Sequence, residues 1–246
     1  MKKDVIFKEG SARGSDFEFN TEVAEVFDNM IVRSVPFYLE QQNMVKEIAK
    51  KFYEIGTRIY DLGFSTGTTL LNLANAIDDC AELVGYENSI PMIKKAKKTI
   101  KEKKMDKKIK LDYCDLNGDL SAFSLENASV VTMCWALQFV RPLQRDTVVK
   151  WVYDGLVENG AFILTEKVLT NSSHMNRFFI DFYYDFKSKN DYSKDEIMRK
   201  REALENVLIP YRIDENIELF RRNGFNIVET FFQWYNFAGF LCIKKS

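Results

Sequence analysis

Between Thr57 and Val168 the apolar residues switch repeatedly between strand-like alternation and helical spacing. RIYDLG reads as a strand, TTLLNLANAI as a helix, AELVGYE as a strand and IPMIKKAKKTIKEKK as a helix. KIKLDYC and ASVVTMCWALQ are strand-like, LQRDTVVKWVYDGL is helical, and AFILTEKV is again a strand. Such βαβ alternation predicts a doubly wound α/β fold, with a mainly parallel sheet covered by helices on both faces. Upstream, Val23, Val26, Phe27, Met30 and Ile31 fall at helical spacing, and a second helical pattern follows an early proline and ends at Gly56. These predict a helical N-terminal cap over about 21–55, after an arm over 1–20 with little regular structure. Beyond Thr170 a helical insertion rich in Phe, Tyr and charge is expected over about 170–224. The chain closes with FNIVETFFQWYNFAGFLCIKK, two runs suited to an antiparallel hairpin at the sheet edge. No repeat or linker divides the chain, so a single domain over 1–246 is expected.

The formal net charge of −1 leaves no global footprint for nucleic acid or anionic lipid. No apolar run reaches the roughly 18 residues of a membrane span, and the N-terminus turns to charge too soon for a signal segment, so a cytoplasmic protein is expected. Cys80, Cys114, Cys134 and Cys242 lack C-x-x-C spacing and read as buried, reduced thiols, with neither disulfide nor metal site.

The loop after the first strand, G-F-S-T-G at 63–67, admits two readings. As a nucleophile elbow it needs a histidine partner for Ser65, and the single histidine, His174, precedes two further strands rather than following the last one. His174 therefore reads as a surface helix residue. As a phosphate cradle the loop lacks both G-K-[ST] and the middle glycine of a dinucleotide fingerprint. Asp61 beneath it would repel a diphosphate by about 4 kcal/mol per charge pair at 4 Å and an effective dielectric near 20. The same carboxylate favours a cation.

S-adenosylmethionine is such a ligand, with a sulfonium, an ammonium and no phosphate. Asp61 is placed to stabilise the loop and this charge, Glu87 at the end of LVGYE to accept the ribose hydroxyls, and Asp115 at the end of LDYCD to receive the adenine amino group. Each acid alone reads equally well as a cap or turn residue. Acids ending three successive strands together favour the sulfonium ligand.

The stretch VAEVFDNMIVRSVPFY, then YDLG, ENS, LQF, TEK, DFK, YSKDEI, KREALENV and FQWYNF, resembles in order the carboxy-S-adenosyl-L-methionine synthase family, of class I methyltransferase fold, from about Asp16 to Ile243. The resemblance implies conversion of S-adenosylmethionine and prephenate to carboxy-S-adenosylmethionine and phenylpyruvate. A separate tRNA carboxymethyltransferase then uses the product on a wobble uridine. It further implies a homodimer that retains its product, and no direct nucleic-acid partner. Carried over by position, Tyr38, Gly63, Phe64, Ser65, Glu87, Asn88, Asp115, Leu116 and Cys134 line the cofactor pocket. Arg201 holds the new carboxylate, and in the family it reaches across a dimer interface. Phe64 stands where the family has cysteine, Glu87 where it has aspartate and Cys134 where it has asparagine. Phe64 is expected to contact through its backbone, and Cys134 gives up an amide hydrogen bond.

Arg201 tests the resemblance by charge. A fixed cation about 5 Å from a sulfonium methyl costs some 3 kcal/mol at the same effective dielectric, and the sign reverses once that methyl bears a carboxylate. A guanidinium then grips two oxygens in a fork. Composition alone would place Arg201 on a solvated face with Arg199 and Lys200. The ten lysines among residues 94–110 read as the outer face of an amphipathic helix rather than a tRNA site, since stacking aromatics are missing. Most aromatics of FFIDFYYDF and FFQWYNF read as core or subunit contact, with Tyr183, Tyr184 and Trp234 open to a pocket role. An ordinary methyltransferase acting on a small molecule or tRNA, or a non-catalytic S-adenosylmethionine-binding subunit, would share every feature except those tied to Arg201 and its block.

Overall fold

The computed structural model describes residues 2–8, 16–77 and 80–245, so part of the expected N-terminal arm lies outside the described residues. Two helices, α1 (Thr21–Ser34) and α2 (Tyr38–Phe52), precede the sheet. The Asn20 side chain caps α1 by accepting from the Val23 N–H, and Pro36 and a left-handed Phe37 turn the chain into α2. The alternating region then gives β1 (Arg58–Leu62), α3 (Thr68–Ala76), β2 (Glu82–Glu87), α4 (Ile90–Glu102), β3 (Ile109–Tyr113), β4 (Ala128–Cys134), α5 (Pro142–Gly155) and β5 (Leu156–Leu169). The expected helical insertion contains α6 (Ser173–Lys189), α7 (Lys194–Ala203), a short β6 (Tyr211–Arg212) and α8 (Ile213–Arg222). The closing hairpin is β7 (Ile227–Trp234) and β8 (Phe237–Ile243).

The sheet order is β3-β2-β1-β4-β5-β8-β7, with β6 joined to β5 off this path. Strands β1 to β5 pair in parallel, and β8 is antiparallel to both β5 and β7. Successive strand residues serve opposite faces. Ile59, Leu83, Val130 and Ile163 pack under α2, α3 and α4 with Val45, Leu70 and Ala96, while Tyr60, Val84, Val131 and Phe162 pack under α5 and α8 with Val148, Val152 and Phe220. Both faces are covered because both sets are apolar, each buried aliphatic side chain contributing about 1.5–3 kcal/mol. The helix α4 turns Met92, Ile93, Ala96 and Ile100 inward, and most of its lysines lie on the exposed face.

Beyond the strand ends, α1 packs on α4 through Phe27, Met30 and Met92, and Ala203 and Leu204 lean on the same cluster. Thus α1, α6 and α7 roof the carboxyl edge of the sheet. Two expectations shift. The fourth strand stops at Cys134 instead of running to Gln138, because Trp135 takes a φ of 54° that a ladder does not accommodate. Cys114 and Cys242 are buried and Cys134 is half-buried, whereas Cys80 is exposed; all four are free thiols. Among the described residues no helix is long and apolar enough to cross a membrane.

Candidate functional site

Strand order reverses between β1 and β4, and in open α/β sheets the crevice above such a point, at the carboxyl ends of the strands, receives ligands. The loop Gly63–Gly67 rises there from β1. Gly63 has a φ of +74°, and a Cβ on it would lie 2.5 Å from that of Ala136. Only glycine fits both the conformation and the approach. Ser65 is also left-handed, at φ 52°, and its N–H donates to Glu87 Oε2 at 2.9 Å. Glu87 Oε1 accepts from the N–H groups of Asn88 and Ser89 at 3.0 and 2.9 Å. Glu87 therefore pins the loop to the start of α4; burial raises its pKa, and these three N–H bonds oppose the rise. Phe64 turns inward. Its ring fills the space that a Cβ on Gly85 would enter, beside Leu70 and Leu111, leaving its backbone toward the crevice.

Three cavities of about 610, 70 and 20 Å³ meet here, with Ser65 and Trp135 lining all of them. The smallest lies under the loop and takes in Tyr38, Asp61, Gly63, Phe64 and Cys134. The second lies at the end of β2 and takes in Gly63, Glu87, Asn88 and Leu116. Arg201 lines the largest, in the roof. The structure so gathers every residue expected at the site except Asp115. That carboxylate is half-buried beside the second cavity, and its Oδ1 accepts from Asn88 Nδ2 at 3.2 Å and the Asn117 N–H at 3.0 Å. Tyr183 and Tyr184 face the large cavity, whereas Trp234 packs on Phe37, Phe186 and Tyr235. Ser65 Oγ donates to the Gly63 carbonyl and His174 is exposed at the start of α6, so the two form no nucleophile pair.

The loop side of the crevice is acidic. Asp61 is 1% exposed; Oδ1 accepts from Thr132 Oγ1 at 2.8 Å and Oδ2 has no partner. Burial lifts its pKa to about 7, against the Thr132 hydrogen bond and with some help from Glu87. Burial likewise pushes the Cys134 thiol up to about 12 and the Tyr38 phenol well above its ordinary range, so both are neutral. No lysine or arginine lines either small cavity. An unpartnered carboxylate oxygen without a nearby cation suits a ligand bearing its own positive charge, and a diphosphate would find nothing to receive it.

The roof side has the opposite sign. Lys167 from β5, Lys187 from α6, Lys200 and Arg201 from α7 all face the large cavity. Sequence reasoning missed these lysines and also Trp135, which buries all but 8% of its surface and packs at a tilt against Tyr38 with ring centroids 5.5 Å apart. Trp135 is held by its N–H donating to the Thr165 carbonyl at 2.7 Å, and by Gln138, whose amide donates to the Trp135 carbonyl and accepts from the Lys167 N–H. Buried Glu166 accepts from the Leu137 N–H at 3.1 Å, and its pKa is raised to about 8 by burial, partly offset by Arg145. Among the described residues no group of three His, Cys, Asp or Glu side chains is arranged to hold a metal.

A family model described as a methyltransferase domain matches residues 59–160. A carboxy-S-adenosyl-L-methionine synthase of Methylococcus capsulatus is 47% identical, over 99% of this chain and all of that protein. One of Nautilia profundicola is 43% identical over 93% of this chain and 94% of that protein. Among solved structures, an O-methyltransferase family protein of Burkholderia thailandensis matches with a TM-score of 0.68 at 14% identity, covering 92% of this chain and 60% of that one.

Proposed function

The chain belongs to the carboxy-S-adenosyl-L-methionine synthase family, and from that premise we propose that it makes carboxy-S-adenosylmethionine from S-adenosylmethionine and prephenate. The observation that carries the reading is the opposite charge of the two sides of one crevice. Asp61 and Glu87 suit the sulfonium substrate, and Arg201 with the neighbouring lysines suits an acid on the side the methyl group would face. The balance closes without a metal or an oxidant. The sulfonium methyl loses a proton, prephenate loses carbon dioxide and hydroxide as its ring becomes aromatic, the methyl carbon bonds to the carbon dioxide, and the proton and hydroxide leave as water.

In this reading Tyr38, Gly63, the Phe64 backbone, Ser65, Glu87, Asn88, Leu116 and Cys134 hold the S-adenosyl substrate, Asp115 supports Asn88, and Arg201 grips the carboxylate of the product. The mainly apolar walls, with Trp135 and Phe139, limit access of water that would quench a carbanion. Arg201 lines the cavity of its own chain, and its exposure leaves it able to serve a second subunit as well. The exposed Phe178, Phe182, Tyr235 and Met175 offer an apolar face for the homodimer. The enzyme works in the cytoplasm and supplies a tRNA carboxymethyltransferase, without itself binding tRNA. Mass spectrometry after incubation with both substrates tests the activity: the expected product is heavier than S-adenosylmethionine by one carbon dioxide unit. Release of S-adenosylhomocysteine irrespective of prephenate would instead indicate ordinary methyl transfer.

A further inference from the structure

We propose that Lys167, Lys187 and Lys200 form a preorganised receptor for the carboxylates of the second substrate, a small dicarboxylate that lies against the rings of Tyr183 and Tyr184. The inference rests on the reading that this enzyme takes a dicarboxylate partner, and it assigns that partner a place. Three elements deliver the three ammonium groups to one spot. Lys167 and Lys187 each have Nζ 5.1 Å from the centroid of Tyr183, and Lys187 and Lys200 lie 5.6 and 5.8 Å from that of Tyr192. Lys187 and Lys200 are only 4% and 6% exposed. Among the described residues these ammonium groups make one hydrogen bond, from Lys200 Nζ to Ser34 Oγ at 3.2 Å. The carboxylate with influence here, Asp4, is engaged by the Tyr192 hydroxyl at 2.6 Å and the Ile6 N–H at 3.2 Å.

As a purely structural device this cluster is a poor one. Burial and mutual repulsion pull Lys187 well below its ordinary pKa and bring Lys167 and Lys200 to about 8, with Arg201 and Arg33 adding to the repulsion. Apolar side chains would fill the same volume without that cost. A ligand carrying two negative charges reverses it, and the cavity of about 610 Å³ is of the size that takes small organic molecules. The other lining, including Phe27, Ile31 and Phe237, is suited to a ring rather than to the polar body of a nucleotide or sugar. Lys167 senses Arg201 directly, so one carboxylate of the ligand would sit beside the guanidinium, near Ser65 and Cys134 on the sulfonium side. The carbon dioxide that leaves the ligand thus has little distance to travel.

The test uses the full chain, with Lys187→Met and Lys167→Gln, and calorimetric titration with prephenate and separately with S-adenosylmethionine. The expected result is at least a tenfold rise in the Kd for prephenate with each variant, and a Kd for S-adenosylmethionine within twofold of the parent. Ligand-free Lys187→Met should also melt above the parent at pH 7, which a lysine with a purely structural role would not do. Malonate should compete with prephenate in the parent, and benzoate should compete much less well. If both folded variants bind prephenate as the parent does, the receptor is overturned. If instead the lysines govern prephenate binding but the parent forms no carboxylated product, the receptor stands and the reading of the reaction fails.

Discussion

Asp61→Asn separates what the buried carboxylate costs the fold from what it offers a ligand. Its pKa rises on folding from an ordinary 3.8 to about 7, chiefly through burial. Below 3.8 the group is protonated in both states. Between that value and about 7 the native chain keeps a proton that the unfolded chain has lost, so stability falls as pH rises. Above about 7 both states are ionised and the penalty is complete, at about 4 kcal/mol. Asparagine keeps an oxygen for the Thr132 hydroxyl and places an amide where Oδ2 lacks a partner, returning about 1–3 kcal/mol of that gain. The variant should therefore be more stable than the parent by about 1–3 kcal/mol at pH 8 and no more stable at pH 4. S-adenosylmethionine binding should move oppositely, because a cation about 5 Å from the charge loses some 3 kcal/mol, roughly a hundredfold in Kd. In the parent, affinity should weaken as pH drops below about 7, up to about tenfold per unit, since binding must first displace the Asp61 proton. Urea unfolding at pH 4, 6 and 8, paired with titration calorimetry, reads both effects. Taking the difference between the two proteins at each pH removes the titration of Glu166, while Glu87, whose charge acts on Asp61, stays within the difference. A variant that is less stable at pH 8 and binds S-adenosylmethionine as tightly as the parent would refute the assignment.

Four further outcomes follow from the same geometry. Phe64→Cys, which restores the residue usual in the family, should cost about 2–4 kcal/mol in chemical denaturation by emptying the space over Gly85, while S-adenosylmethionine affinity changes little because the ring faces the core. Gly63→Ala should cost about 1–2 kcal/mol for the left-handed backbone and about 1–3 more for the contact with Ala136, read as a lower urea midpoint. Arg201→Gln should weaken retention of the carboxylated product by roughly 10- to 100-fold, from the loss of about 1.5–3 kcal/mol of charged hydrogen bonding, with S-adenosylmethionine affinity intact by calorimetry. Lys97→Ala and Lys98→Ala on the outer face of α4 should stay within about 0.5 kcal/mol of the parent and leave product formation unchanged by mass spectrometry.

The sheet was legible because its central strands β1, β2, β4 and β5 are largely buried on both faces while its helices carry one apolar side, so the period of the sequence records the architecture. The loop side of the crevice was legible for a similar reason: it is local, with Gly63, Ser65, Glu87 and Leu116 all at strand ends that the pattern marks. The roof was not. Lys167, Lys187 and Lys200 lie far apart in sequence, and a lysine in a charged stretch reads as solvated until α6 and α7 fold back over β5. One signal did exist: TEK, DFK and KREALENV, each quoted for the family resemblance, contain one of the three. Trp135 was hidden by continuity, since MCWALQ prolongs an apolar run and nothing local announces a φ of 54°. Asp115 lies just beyond the end of β3, where its Oδ1 accepts from Asn88 and Asn117.

A crevice with carboxylates on one side and ammonium groups on the other should collapse into ion pairs unless something holds the two apart. The wall between them is built from Ser65, Cys134 and Trp135, and two of these residues sit in left-handed backbone that costs about 1–2 kcal/mol each. Glu87 fixes the first and Gln138 the second, so the strain is locked by hydrogen bonds. The result is an Asp61 carboxyl drawn up toward neutrality and a Lys187 ammonium drawn down toward it, each chiefly by burial. Ligands of matching charge supply both counter-ions at once. Binding energy is thereby drawn from groups already desolvated and oriented, and the sulfonium and the dicarboxylate are brought to the two sides of the same narrow wall.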